Sequence, residues 1–149
     1  MAAPDPAQVL GRVTLVTGPE EFLAERTVQQ VRAACRRADP EAEMSETVAD
    51  QLTMATLGEL AAPSLFSSTR CVVVRRLEDL PEESVPGLLD YAAAPADEVA
   101  LVLVHSGGAK GSGVLAKLRK ATAVTEVKTA ALTAREYPNF VANELRGHN

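Results

Sequence analysis

The sequence predicts an α/β domain: a parallel five-stranded sheet with helices on both faces, in three layers. Short apolar, β-branched runs alternate with segments of helical periodicity along the chain, and that alternation is the pattern of strands joined by crossover helices. The most apolar run, "VALVLV" at residues 99–104, shows no polar alternation, as expected of a central strand covered on both faces. The third observation is bulk: 149 residues, 46% of them hydrophobic, suffice for one core. Aromatic residues are only 3%, so that core is aliphatic and each of the three Phe stands out.

The elements follow in order. "VTLVT" at 13–17 is a β-run that stops at Gly18. A helix follows, with Leu23, Thr27, Val31 and Ala34 on one side, Ala24, Val28 and Cys35 beside them, and Glu21, Glu25, Gln29, Arg32 and Arg36 opposite. Pro19 suits its first turn, Glu20 and Glu21 its positive end, Arg36 and Arg37 its negative end, and Asp39-Pro40 stops it. Residues 45–49 form a weak edge strand. Residues 53–62 form a short helix with Met54, Leu57, Leu60 and Ala61 inward. A strand at 71–75 ends in Arg75-Arg76. A helix at 82–93 places Val85, Leu88, Leu89 and Ala92 on one face. After the central strand, "HSGGAKGSG" is a loop, 114–121 is a basic helix burying Leu115 and Leu118, and 123–127 is the last strand. Residues 1–137 make the domain. From Pro138, a segment with Phe140, Val141 and Leu145 begins a further helix that leads onward.

Several function classes are excluded early. The formal net charge is −5, so a strongly basic nucleic-acid footprint is absent. The local clusters at Arg36-Arg37, at Arg70 with Arg75-Arg76, and at Lys117, Arg119 and Lys120 read as solvated element ends. Cys35 and Cys71 lie in apolar patterns without C-x-x-C spacing, which implies buried thiols and a reduced, cytoplasmic setting. "MAAPDPAQ" has neither a basic start nor an apolar stretch of signal-peptide type, and no apolar run is long enough to span a membrane.

A parallel α/β sheet invites a search for nucleotide chemistry after the first strand. A phosphate cradle needs G-x-x-x-x-G-K-[ST] there. "GPEEFLAER" keeps only the first Gly. Pro19 removes an N–H, and Glu20 and Glu21 place negative charge where phosphate oxygens would sit. The loop 107–112, "GGAKGS", precedes a helix and contains Lys110, so an anion- or nucleotide-binding role for that loop is the alternative reading. A receiver-type phosphorylation domain fails, since the third strand ends in arginines rather than an acceptor Asp. A serine hydrolase fails for want of the G-x-S-x-G elbow. His105 and His148 have no ligand spacing, His105 reading as a strand-end cap. No catalytic, cofactor or metal constellation is present.

One short stretch is out of place. In "PSLFSST", Leu65 and Phe66 stand together between Pro63-Ser64 and Ser67-Ser68-Thr69. Neighbouring residues point about 100° apart on a helix and to opposite faces on a strand, so both rarely serve their own core. An exposed Leu-Phe pair suits a partner's pocket. The competing reading folds one of them under the helix at 53–62.

Three stretches together, "VTLVTGPEEFLAER", "ELAAPSLFSSTRCVVVRRLEDL" and "VALVLVHSGGAKGSGVLAKLRKA", resemble the N-terminal domain of the delta subunit of bacterial DNA polymerase III, the clamp-opening subunit of the clamp loader, in its high-G+C bacterial branch. The resemblance implies an AAA+ fold with a degenerate phosphate loop, no ATPase activity of its own, no cofactor, and a place in the DNA-directed DNA polymerase holoenzyme. It implies that Leu65 and Phe66, with Ser64 before them, enter a hydrophobic pocket on the beta sliding clamp. Ala62 and Pro63 stand where clamp-binding peptides carry Gln and Leu. The family also has a helical lid and a C-terminal collar, so residues 138–149 resemble the connection to the lid. Contacts with the other loader subunits are then expected mainly through the collar, DNA contact only through the assembly, and this chain by itself as a monomer.

Overall fold

The computed structural model describes residues 4–61 and 69–129. The strands are β1 (Arg12–Thr17), β2 (Glu43–Val48), β3 (Arg70–Arg75), β4 (Val99–His105) and β5 (Val124–Lys128). The helices are α1 (Glu21–Ala38), α2 (Met54–Ala61), α3 (Val85–Ala93) and α4 (Ser112–Leu118), with 3-10 turns at Pro6–Gln8, Ala49–Gln51, Leu77–Asp79 and Glu82–Ser84. The five strands form one sheet in the order β2-β3-β4-β1-β5, every neighbouring pair parallel. The predicted fold class is therefore the one observed.

Composition explains the order. The three inner strands, "RVTLVT", "RCVVVR" and "VALVLVH", are apolar on both faces and buried nearly throughout. The two edges, "EMSETV" and "VTEVK", alternate with charge and are only partly covered. Side chains alternate between two cores. Val13 and Leu15 of β1 join Leu101 and Leu103 of β4 on the face that includes Leu88 of α3 and Leu118 of α4. Val16, Val73 and Val102 face the opposite way, onto Val28, Val31 and Ala34 of α1.

The structure moves several boundaries. Pro19 lies just before the capping residue Glu20 rather than in the first turn of α1. β2 begins two residues earlier than expected, because its pairing with β3 runs from Glu43↔Arg70 to Val48↔Arg75 and Ala49 turns away. α4 likewise starts at Ser112 and ends at Leu118. The first turn of the expected helix at 82–93 is 3-10, with Pro86 at the start of the α-helical part. Glu21 in the first turn of α1 and Arg36 and Arg37 in the last match the helix dipole as expected.

Cys35 and Cys71 are both fully buried, as the apolar pattern implied. The neighbouring Cys35 and burial hold the Cys71 thiol up, in its neutral form. Among the described residues no helix is long and apolar enough to cross a membrane.

Candidate functional site

In open parallel sheets, ligands bind at the carboxyl ends of the strands, where successive connections leave to opposite faces. Here that point lies between β1 and β4: α1 leaves on one face and α4 on the other. A cleft of about 520 Å³ opens there, lined by Gly18, Phe22, Arg75, Arg76, Glu78 and His105 among others.

The backbone donors of the β1–α1 turn at the floor of this cleft are already engaged. The Gly18 N–H donates to the His105 carbonyl at 3.1 Å, and the Glu20 N–H donates to the Thr129 carbonyl at 3.2 Å. Pro19 between them has no N–H. A phosphate cradle works by pointing such donors at the anion; in this turn the two available donors are already bonded to backbone. Thr129 locks the arrangement, its N–H donating to the Thr17 carbonyl at 2.6 Å. Space is equally short. Gly18 has a φ of 132°, and a Cβ there would stand 2.5 Å from the Thr129 carbonyl oxygen. A Cβ on Gly107 would meet the Gly18 Cα at 2.9 Å. The two loops thus touch backbone to backbone.

Both arginines of the cleft are paired with acids. Arg75 binds Glu25 at 2.8 Å and Glu46 at 3.2 Å, and Arg32 of α1 binds the same Glu46 at 2.8 Å. These contacts, Arg75's first, hold the Glu46 carboxyl below its ordinary value. Arg76, in a left-handed conformation at φ 58°, binds Asp79 at 2.8 Å. Across the sheet, Arg119 donates twice to Glu126, both at 2.9 Å, and the Thr17 hydroxyl donates to Glu126 at 2.6 Å. The Arg119 bonds chiefly keep that carboxyl ionised. The clusters around Arg70, Arg75 and Arg119 are therefore tied to acids, not solvated element ends alone.

The glycine loop at 107–112 is stitched from within. His105 is buried at the end of β4. Its Nδ1 accepts from the Gly107 N–H at 2.8 Å, which leaves Nε2 as the protonated nitrogen, donating to the Lys110 carbonyl at 2.8 Å. Lys110 reaches Asp79 at 2.6 Å, and the Ser106 N–H donates to Glu78 at 3.1 Å. His105 is thus the organiser of a loop rather than a simple strand cap. α4 behind this loop is only seven residues long. Among the described residues no group of three or more potential ligands could hold a metal ion.

Two features escaped the sequence reading. Phe22 is 71% exposed on the first turn of α1, beside the cleft. Its place next to the buried stripe of Ala24, Thr27, Val28 and Val31 is the signal that could have found it. The lock between Thr17 and Thr129 had no local signal.

Ser64, Leu65 and Phe66 lie outside the described residues. Their described flanks are firmly placed. Arg70 at the start of β3 donates to the Glu59 carbonyl of α2 at 2.8 Å and to Glu43 of β2 at 2.8 Å. Thr69 is buried. Both flanks sit where β3 begins, at the amino-terminal end of the sheet, opposite the cleft.

No protein-family model and no curated protein matches this chain. Solved structures match it in shape. The DNA clamp loader delta protein of Bacillus subtilis superposes with a TM-score of 0.70 at 20% identity, over 90% of this chain and 42% of that one. A DNA polymerase III gamma subunit-related protein of Thermotoga maritima gives 0.58 at 10% identity, over 93% and 47%. The RuvB Holliday junction branch migration motor of the same organism gives 0.50 at 15% identity, over 93% and 44%. The chain spans less than half the length of each. At these identities the likeness is one of fold alone.

Proposed function

We propose that this chain is the clamp-binding domain of a non-catalytic clamp-loader subunit. It binds the beta sliding clamp through Leu65 and Phe66, presented by the segment between α2 and β3, and helps open the clamp for DNA replication. The observation that carries this reading is a nucleotide-type fold whose phosphate turn has its backbone donors bonded to neighbouring carbonyls. Such a domain has use as a binding module. The likeness to a clamp loader delta protein supports the choice of module. The described flanks of the Leu-Phe segment lie at the amino-terminal end of the sheet, away from the cleft, which supports a clamp contact separate from the cleft. Assembly with other loader subunits, residence in the cytoplasm and DNA contact through the assembly belong to the same proposal.

Two measurements test it. The domain and the sliding clamp of the source organism are mixed on a sizing column, with the parent and with Leu65→Ala/Phe66→Ala. Burying each side chain is worth roughly 1.5–3 kcal/mol, so the double variant should lose about 3–6 kcal/mol, a hundredfold or more in Kd, with an unchanged melting temperature. Unchanged clamp affinity in the variant overturns the site; a much lower melting temperature makes the pair structural. In the second measurement, millimolar ATP should leave the melting temperature where it is. A clear stabilisation competed by ADP favours the glycine loop as an anion site and overturns the non-catalytic reading.

A further inference from the structure

A groove of about 640 Å³ lies on the α1 face of the sheet, between α1, β1, β5 and the turn at Pro6–Gln8, and shares no lining residue with the cleft. That volume is in the range of small-molecule sites. Its walls are mixed. Val9, Val31 and Val127 supply apolar surface, while Arg12, Thr14 and Thr125 make a polar end. Arg12 and Thr14 stand two residues apart on β1 and so face the same side, and register sets Thr125 beside Thr14 on the next strand, about 4.8 Å away.

The polar end holds unused donors. Thr14 is only 5% exposed, yet its hydroxyl makes no hydrogen bond among the described residues, and what remains of its surface opens into the groove. A buried hydroxyl so placed is an unmet donor. Arg12 donates from Nη2 to the Thr125 hydroxyl and to the Thr122 carbonyl, both at 3.1 Å. Both acceptors are neutral. Arg32, Arg75, Arg76 and Arg119 each hold a carboxylate, whereas no Asp or Glu is among the described residues that line this groove. The Arg12 charge therefore has no counter-ion there. The Thr125 oxygen accepts from Arg12, which leaves its own O–H to donate. One cation and two hydroxyls thus converge where an apolar wall begins. We propose that the groove binds a small organic monocarboxylate, its carboxylate on Arg12, Thr14 and Thr125 and its apolar body along Val9, Val31 and Val127. A doubly charged phosphate would want a second cation, which no described lining residue supplies. The proposal does not depend on the clamp-loader reading.

Amide NMR spectra of the full 149-residue chain, titrated with sodium hexanoate at constant ionic strength, test it. Saturable shifts should gather on Thr14, Thr27, Val31 and Thr125, with half-saturation at about 1 mM, and leave Gly18 and Ser106 of the cleft unmoved. Hexan-1-ol has the same body without the charge, and inorganic phosphate has charge without the body; each should bind about tenfold or more weakly. Thr14→Val keeps the shape and suits a strand, so it should melt no lower than the parent while hexanoate affinity falls about threefold or more. Arg12→Gln should abolish the advantage of hexanoate over hexanol; if that variant does not fold, the two probes on the parent decide the role of charge. Absence of saturable shifts, or hexanol or phosphate binding as tightly as hexanoate, overturns the proposal. Unchanged hexanoate affinity in Thr14→Val or Arg12→Gln overturns it too.

Discussion

The β1–α1 turn and the β4–α4 loop meet at the carboxyl end of the sheet, and they are closed by different means. The first is held by backbone. Gly18, Glu20 and Thr129 exchange main-chain hydrogen bonds with His105 and Thr17, and Gly18 stands against Gly107 with no room for a side chain. The second is held by side chains, the His105 ring bridging Gly107 and Lys110 while Asp79 ties Lys110 to Arg76. The difference teaches how a ligand end can be lost. A turn whose donors are bonded to carbonyls at the neighbouring strand ends does not have them freed by side-chain substitution. A loop held by one imidazole can be loosened by a single change.

The sharpest test of that contrast is a pair of alanine substitutions. Gly18→Ala adds a left-handed strain of about 1–2 kcal/mol to overpacking of about 1–3 kcal/mol, so denaturant unfolding should show a loss of about 2–5 kcal/mol. Gly108→Ala in the side-chain-held loop, with only the Ser106 hydroxyl at 4.0 Å from its new Cβ, should change stability by less than about 0.5 kcal/mol. Equal costs at the two positions would erase the distinction.

Next in size is His105→Ala. It leaves the Gly107 N–H and the Lys110 carbonyl without their partner, a loss of about 1–3 kcal/mol. The damage should be local: hydrogen exchange should quicken across residues 106–111 while the amides of Gly18 and Glu20 keep their protection. Loosening of both loops together would mean that they form one cooperative unit.

The smallest effect concerns acid. Glu126, bonded to Arg119 and to Thr17 at the end of β1, titrates below its ordinary value of 4.5 in the folded chain. A depressed folded value contributes stability above pH 4.5 that is lost as the pH falls through the lower folded value. Glu46, held by Arg75 and Arg32, acts in the same direction. Urea midpoints taken down from pH 6 should therefore decline below about pH 4.5, and Glu126→Gln should flatten the decline by its share. A profile identical to the parent's would show that the carboxylate is not coupled to the β1 turn.

The sequence by itself determined the fold class and marked one central strand and one edge. The unbroken apolar run "VALVLV" marks the central strand, because nothing polar in it could meet water, and the weak, mixed pattern at 45–49 marks an edge; that the last strand forms the other edge is known from the observed strand order. Pro19, Glu20 and Glu21 carry the expectation that the first turn binds no phosphate, because the loss of an N–H and the gain of charge are properties of residue type. Tertiary structure alone decided how that turn is closed. Thr129 meets Thr17 across 112 positions, and Gly107 meets Gly18 across nearly ninety, contacts no local pattern encodes. It also decided the roles of His105 and Phe22. Whether a histidine caps a strand or organises a loop depends on which carbonyl and which N–H the fold brings to its two nitrogens. Whether a phenylalanine beside a buried stripe is covered depends on which layer stands next to its helix. The role proposed for Leu65 and Phe66 rests on residue type alone, since that segment lies outside the described residues.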